Sequence, residues 1–311
     1  MKNLLLIPFY LIVSELFSQT QTDTSYTVWS TYNKEVKKFP FIKKVQKPEN
    51  KEINRLKDLV YKSINSRELH LDAYFNKGKA SQPAVIMIHG GGWKSGNKSQ
   101  MHYLAQEIAS KGYSCFCVEY RLSGEAKYPA AILDVKTAIK YIKENVLNFN
   151  VDPNKIAVLG CSSGGQMAAL IGTTNNNQSF EEKSDLMQNA NVQAIIDMDG
   201  ILAFHHPESE EGKAAGLWLD GNFEQNPDNW KQASALTHTD KNTPPILFIN
   251  SDRSRFHAGR NDMIAILNKF QIYNEIKTIP NSPHSFWFFD PWFDEIVNYS
   301  TQFLDKIFKQ K

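Results

Sequence analysis

The sequence predicts an α/β chain with an open, mainly parallel sheet and helices on both faces. Three observations predict it. Short apolar runs at 84–88, 156–159, 192–196 and 246–249 alternate with segments whose apolar residues step by three and four. Two of these runs end in glycine-rich turns, His89-Gly90-Gly91-Gly92-Trp93 and Gly160-Cys161-Ser162-Ser163-Gly164-Gly165. The 311 residues are 41% hydrophobic and 22% charged, a balance that suits one large domain with a substantial core.

The chain starts with Lys2 and an apolar stretch, Leu4 to Val13. A basic end followed by an apolar middle reads as a signal peptide over residues 1–18, and implies a secreted or periplasmic protein. The stretch is short for a membrane span, so no membrane association is expected after cleavage. Residues 19–58 are polar and lysine-rich, and read as an irregular leader on the surface.

From Leu59 the pattern becomes regular. Leu69, Leu71 and Ala73 alternate with polar residues, as in a half-exposed strand. Ala84 to Ile88 is continuously apolar, as in a strand covered on both faces. Met101, Leu104 and Ile108 fall at helical spacing, and 113–120 reads as a strand. Ile132, Val135, Ile139, Ile142 and Val146 mark the clearest helix. Strand 156–159 leads into helix 166–171, and strands follow at 192–196 and 246–249. Met263, Leu267 and Phe270 suit a helix, 275–279 a last strand and 291–308 a last helix. Residues 201–243 interrupt the alternation and read as an insertion over the carboxyl edge of the sheet, where an active site would lie.

Charge points away from nucleic acid: 35 basic and 33 acidic residues leave a net +2. Three cysteines, Cys115, Cys117 and Cys161, give neither a disulfide framework nor zinc spacing. No metal or other cofactor is implied. His205, His206, Glu208, Glu210 and Glu211 match no metal-site spacing and read as a solvated loop.

Gly160-Cys161-Ser162-Ser163-Gly164 fits G-x-S-x-G with Ser162 at its centre. A nucleophile on a sharp strand-to-helix turn needs tiny neighbours at minus two and plus two, or side chains collide. Developing negative charge on a substrate oxygen needs preorganised N–H donors. Gly91, Gly92 and Ser163 are the candidates, and Trp93 is a candidate wall of the substrate pocket. The base should follow the last strand, which selects His284. Asp252, after strand 246–249, is the first candidate for the acid. Asp199, after strand 192–196, is the alternative, and Asp262 a further one. Phe286, Trp287, Phe288, Phe289, Trp292 and Phe293 follow His284. They read either as a sugar-stacking surface, with Trp287 in the substrate pocket, or as packing for the last helix.

The glycine motifs, with Glu119-Tyr120-Arg121-Leu122, Tyr128-Pro129-Ala130, Asp134 and Asp152-Pro153, resemble secreted esterases of the α/β-hydrolase superfamily. The most similar group is that of bacterial acetylxylan and feruloyl esterase-like proteins. The resemblance covers roughly residues 59–308 and implies an α/β-hydrolase catalytic domain over 59–311. It implies a serine carboxylic-ester hydrolase that deacetylates a plant-type polysaccharide or oligosaccharide through an acyl-enzyme. Tyr120, Arg121, Leu122 and Pro129 are then chiefly structural. A feruloyl or general small-ester carboxylesterase is the alternative activity, with a peptidase of the same fold behind it. A non-catalytic carbohydrate-binding relative is the alternative of another class. The acid loop lacks the usual Gly-x-x-Asp form, and the 201–243 insertion has no counterpart.

Overall fold

A computed structural model describes residues 25–309 apart from 77, 79, 80 and 184. Residues 1–18, read from the sequence as a signal peptide, lie outside the described residues. The elements run α1 (Val28–Glu35), β1 (Lys43–Lys44), β2 (Ile53–Ile64), β3 (Arg67–Asn76), β4 (Gln82–Ile88), α2 (His102–Ser110) and β5 (Ser114–Val118). Then come α3 (Ala130–Glu144), α4 (Val146–Phe149), β6 (Val151–Cys161), α5 (Ser163–Thr173), β7 (Ala194–Met198), α6 (Gly212–Trp218) and α7 (Pro227–Gln232). The chain closes with β8 (Ile246–Ser251), α8 (Arg260–Lys269), β9 (Asn274–Ile279), β10 (Phe289–Asp290) and α9 (Phe293–Phe308).

Among the described residues eight strands form one sheet in the order β2-β3-β5-β4-β6-β7-β8-β9. β3 is antiparallel to both its neighbours, and the pairs from β5 onward are parallel. The middle strands β4, β5, β7 and β8 are buried along their whole length, because helices cover both faces. β9, at the edge, is exposed or half-buried up to Thr278 and buried at Ile279.

One core layer joins the sheet to α3, α5 and α8 through Ile132, Val135, Ile139, Met167, Leu170 and Met263. The other joins it to α2 and α9 through Leu104, Ile108, Ile296, Phe303 and Leu304. α3 is also pinned to the sheet side by charge. The fully buried Asp134 accepts from Arg121 Nε and Nη2, both at 2.8 Å, and from Lys62 Nζ at 2.8 Å. A bidentate guanidinium with a second cation compensates the desolvated carboxylate, which gives Arg121 and Asp134 a structural role. Among the described residues no helix is long and apolar enough to cross a membrane.

One expectation changes here, and one open choice closes. The leader is not wholly irregular: 28–35 is helical, residues 43–44 pair with 289–290, and β2 already starts at Ile53. The cause is apolar residues spaced between the lysines. Tyr26, Val28, Tyr32, Val36 and Phe39 pack against the α2–α9 layer. The aromatic run after His284 is the surface they cover, so Phe286 to Phe289, Trp292 and Phe293 are all buried and do not form a sugar-stacking face.

Candidate active site

Ser162 sits between β6 and α5 with φ 56° and ψ −122°. That left-handed φ is strained for serine and is held by the turn around it: Ser162 N donates to Met198 O at 2.8 Å, and Gln166 N donates to Ser162 O at 3.0 Å. A Cβ on Gly160 would lie 1.9 Å from Gly164 O, and one on Gly164 2.2 Å from Ile88 O. The small residues at minus two and plus two are therefore required by backbone-to-backbone contact. Cys161, one residue before, points into the core. Its sulfur is 3.7 Å from Met198 Sδ, and burial pushes its thiol pKa well up, so it stays a neutral packing group.

His284 Nε2 is 2.8 Å from Ser162 Oγ, and His284 Nδ1 is 2.9 Å from Asp199 Oδ2. Asp199 is the acid of this array, and Asp252 is not. The register explains the correction. Cys161 on β6 pairs with Met198 on β7, so the residues that follow, Ser162 and Asp199, emerge side by side at the carboxyl edge. Asp252 follows β8, one strand further away, and its Oδ2 accepts from Asn281 N at 2.6 Å. Asp262 lies on α8, with its Oδ2 3.1 Å from His206 Nε2.

Asp199 is fully buried. Burial pushes its carboxyl pKa up, but His257, His284 and Ser251 outweigh that and hold it below the usual carboxylate range. Ser251 donates twice, from N at 2.8 Å and from Oγ at 2.6 Å, and His257 Nε2 lies 3.6 Å from Oδ1. Phe256 stacks on the His284 ring at 3.4 Å and 9°. Ser251, Phe256 and His257 were not singled out from the sequence. They share the acid loop with Asp252, and their use is set by contacts across the sheet.

The loop after β4 supplies the second half. Gly91 has φ 135° and Gly92 φ 59°. Gly91 O accepts from Ser95 N at 3.1 Å and Ser95 Oγ at 3.0 Å, and a Cβ on Gly91 would lie 2.0 Å from Ser95 O. Among the described residues none accepts from the N–H of Gly91, Gly92 or Ser163. His89 holds the loop from below. Its Nδ1–H donates to Gly90 O at 2.8 Å, its ring stacks on Tyr120 at 4.4 Å, and Tyr120 OH donates to His89 O at 2.9 Å. Burial lowers its pKa from 6.5 to about 4, so the ring is neutral near pH 7.

Gly92, Trp93, Ser162, Ser163, Gln166 and Glu211 line a cavity whose solvent-accessible volume is about 20 Å³. Trp93 forms one wall of this cavity. Its Nε1 donates to Gln166 Oε1 at 2.9 Å, and its ring stacks on Trp218 at 5.1 Å and 10°. Gln166 in turn donates to Ala233 O at 2.8 Å, so the 201–243 insertion is tied to this wall. Trp287 is not a wall. It is buried at the edge of the His284 ring, 5.2 Å between centroids, and faces the α1–α2 side.

Comparison with known proteins bears on the family and the fold. The BD-FAE family model matches residues 71–256. Esterase LipC of Mycobacterium tuberculosis (strain ATCC 25618 / H37Rv) is 30% identical over 191 residues, 59% of this chain and 47% of that protein. The chain thus spans less than half the length of this relative. A truncated carbohydrate esterase from gut microbiota superposes with a TM-score of 0.66 at 23% identity, covering 84% of this chain and 99% of the other. An acetyl ester-xyloside bifunctional hydrolase from Caldicellulosiruptor lactoaceticus gives 0.67 at 22% identity, covering 78% and 89%. Both structural likenesses establish the α/β-hydrolase fold.

Proposed function

The chain belongs to the BD-FAE family, and from that premise we propose that it is a secreted serine esterase that removes acetyl groups from a plant-type polysaccharide or oligosaccharide. The observation that carries the reaction is the continuous relay from Ser162 Oγ through His284 to Asp199, at 2.8 and 2.9 Å. His284 Nε2 takes the Ser162 proton as Oγ attacks the acyl carbon. Asp199 keeps the other ring nitrogen protonated and balances the imidazolium charge. The free N–H groups of Gly91, Gly92 and Ser163 hold the oxyanion, each worth about 3 kcal/mol in the transition state. His284 returns the proton to the leaving alcohol. Water then attacks the acyl-enzyme by the same route in reverse and releases acetate.

The acyl group is argued from space. A cavity of about 20 Å³ beside Ser162 exceeds only slightly what one water needs, which favours acetyl over the aromatic feruloyl group. The carbohydrate part draws on relatives of the same fold: one is a carbohydrate esterase and another an acetyl ester-xyloside bifunctional hydrolase. Secretion draws on the apolar start of the sequence.

The test is release of acetate and ferulate from acetylated and feruloylated xylan, with p-nitrophenyl acetate as a general ester. Acetate release and p-nitrophenyl acetate turnover that both vanish in Ser162→Ala support the reading. Faster ferulate than acetate release overturns the acyl assignment. Equal inactivity of folded wild type and Ser162→Ala toward every ester makes the chain a non-catalytic relative.

A further inference from the structure

The leaving group of an acyl transfer departs on the side of the base that protonates it. On that side of His284 lies a second cavity, with a solvent-accessible volume of about 280 Å³, lined among others by Lys34, Glu35, Arg253, Arg255 and Phe256. It is roomy where the acyl side is tight, and it is positively charged. We propose that this cavity is a leaving-group subsite for an acidic sugar, and that Arg253 meets the sugar's carboxylate. The proposal rests on the esterase reading above and deepens it to a substrate class.

The charges around the cavity single out Arg253. Lys34 Nζ is 4.0 Å from Glu35 Oε1, which leaves that pair roughly neutral. Arg255 Nη1 is 3.6 Å from Glu210 and 3.7 Å from Glu211, and its guanidinium lies 4.3 Å above the Phe256 ring. Arg253 is exposed, and among the described residues its side chain has neither an ion pair nor a hydrogen bond. The neighbouring Asp252 is turned to Asn281 N and leaves that charge uncompensated. A planar guanidinium with five donors fits a carboxylate better than an ammonium does.

The cavity wall is preformed. Residues 26–35 supply one side, and α1 is fixed by a capping box between Thr27 and Ser30. Tyr26 and Tyr32 pack on Phe288 and Phe289, with ring centroids at 5.9 and 6.1 Å. Across the site the charge is paired. Glu211 lines the acyl cavity, and its Oε1 is the atom that lies 3.7 Å from Arg255 Nη1. The tight cavity at Ser162 takes a small acyl group and Arg253 an anionic alcohol, so the two cavities together orient an acidic acetylated sugar.

The experiment compares two acetate esters that differ only at C6: a methyl 2-O-acetyl-galacturonoside and the matching galactoside. kcat/KM is measured from acetate release at low and high salt, for wild type, Arg253→Gln and Arg253→Lys. Wild type is expected to prefer the uronoside roughly three- to tenfold at low salt, with the ratio falling toward one in high salt. Arg253→Gln brings the ratio near one at low salt, and Arg253→Lys restores part of it. A wild-type ratio of one or less, or a preference that survives Arg253→Gln, overturns the subsite while leaving the esterase reading intact. If folded wild type hydrolyses neither sugar nor p-nitrophenyl acetate, the esterase reading fails and the subsite falls with it.

Discussion

Replacing Asp199 by Asn separates the two acids by mechanism. The carboxylate accepts from Ser251 N, Ser251 Oγ and His284 Nδ1 at 2.8, 2.6 and 2.9 Å. An amide has one acceptor oxygen and two donor hydrogens. If the oxygen keeps Ser251 N, the amide N–H faces His284 Nδ1. The ring then adopts the other tautomer, with its proton on Nε2 and aimed at Ser162 Oγ. That ring cannot take the serine proton. The expected loss is about 10³- to 10⁴-fold in kcat, or roughly 4–5.5 kcal/mol of transition-state stabilisation, with little change in KM. Asp252→Asn keeps an oxygen for Asn281 N, and its kcat stays within about twofold of wild type. The assay is steady-state p-nitrophenyl acetate hydrolysis at pH 7–8, with thermal melts confirming that both variants fold. An Asp199→Asn enzyme of full activity, or an Asp252→Asn enzyme that loses as much as predicted for Asp199, refutes the reasoning.

Other expectations concern the supports of the site. Trp218→Ala removes a fully buried ring stacked on Trp93 and should cost about 3–5 kcal/mol in chemical denaturation. Gly160→Ala drives a Cβ to 1.9 Å from Gly164 O, so it should cost about 3 kcal/mol and reduce kcat, checked by melts and steady-state rates. Stability should also depend on pH through His89. An unfolded His89 binds a proton below about pH 6.5, the buried one only below about pH 4, so protons favour the unfolded chain between those values. The contribution is complete above pH 6.5 and falls by about 3 kcal/mol as pH drops through 4. His89→Asn keeps a donor for Gly90 O and should flatten that part of the denaturation midpoint against pH.

The fold was legible because its signals are local. The continuous runs at β4, β7 and β8 and the spacing in α3 need no partner to be recognised. Ser162 and His284 were legible for the same reason, since G-x-S-x-G and a histidine after the last strand are patterns in chain order. The acid was not. Asp199 and Asp252 each follow a strand, and only the pairing of Cys161 with Met198 decides which lies beside Ser162. The aromatic run after His284 left two readings open, a sugar-stacking surface or packing for the last helix. It packs, because α9 and Tyr26, Val28 and Tyr32 of the N-terminal segment cover it. The 201–243 insertion could be located by its broken rhythm. Its stack of Trp218 on Trp93 and its Glu211 in the acyl cavity required three dimensions.

If the chemistry starts from Ser162 Oγ, a reagent for activated serines should mark that residue. Diethyl p-nitrophenyl phosphate reacts with a serine only when a base and an oxyanion site activate it. Peptide mass spectrometry of the treated protein should find one diethylphosphoryl group, on Ser162, and the His284→Ala protein should remain unlabelled. Labelling at Ser163, or no labelling of folded wild-type protein, would contradict the account.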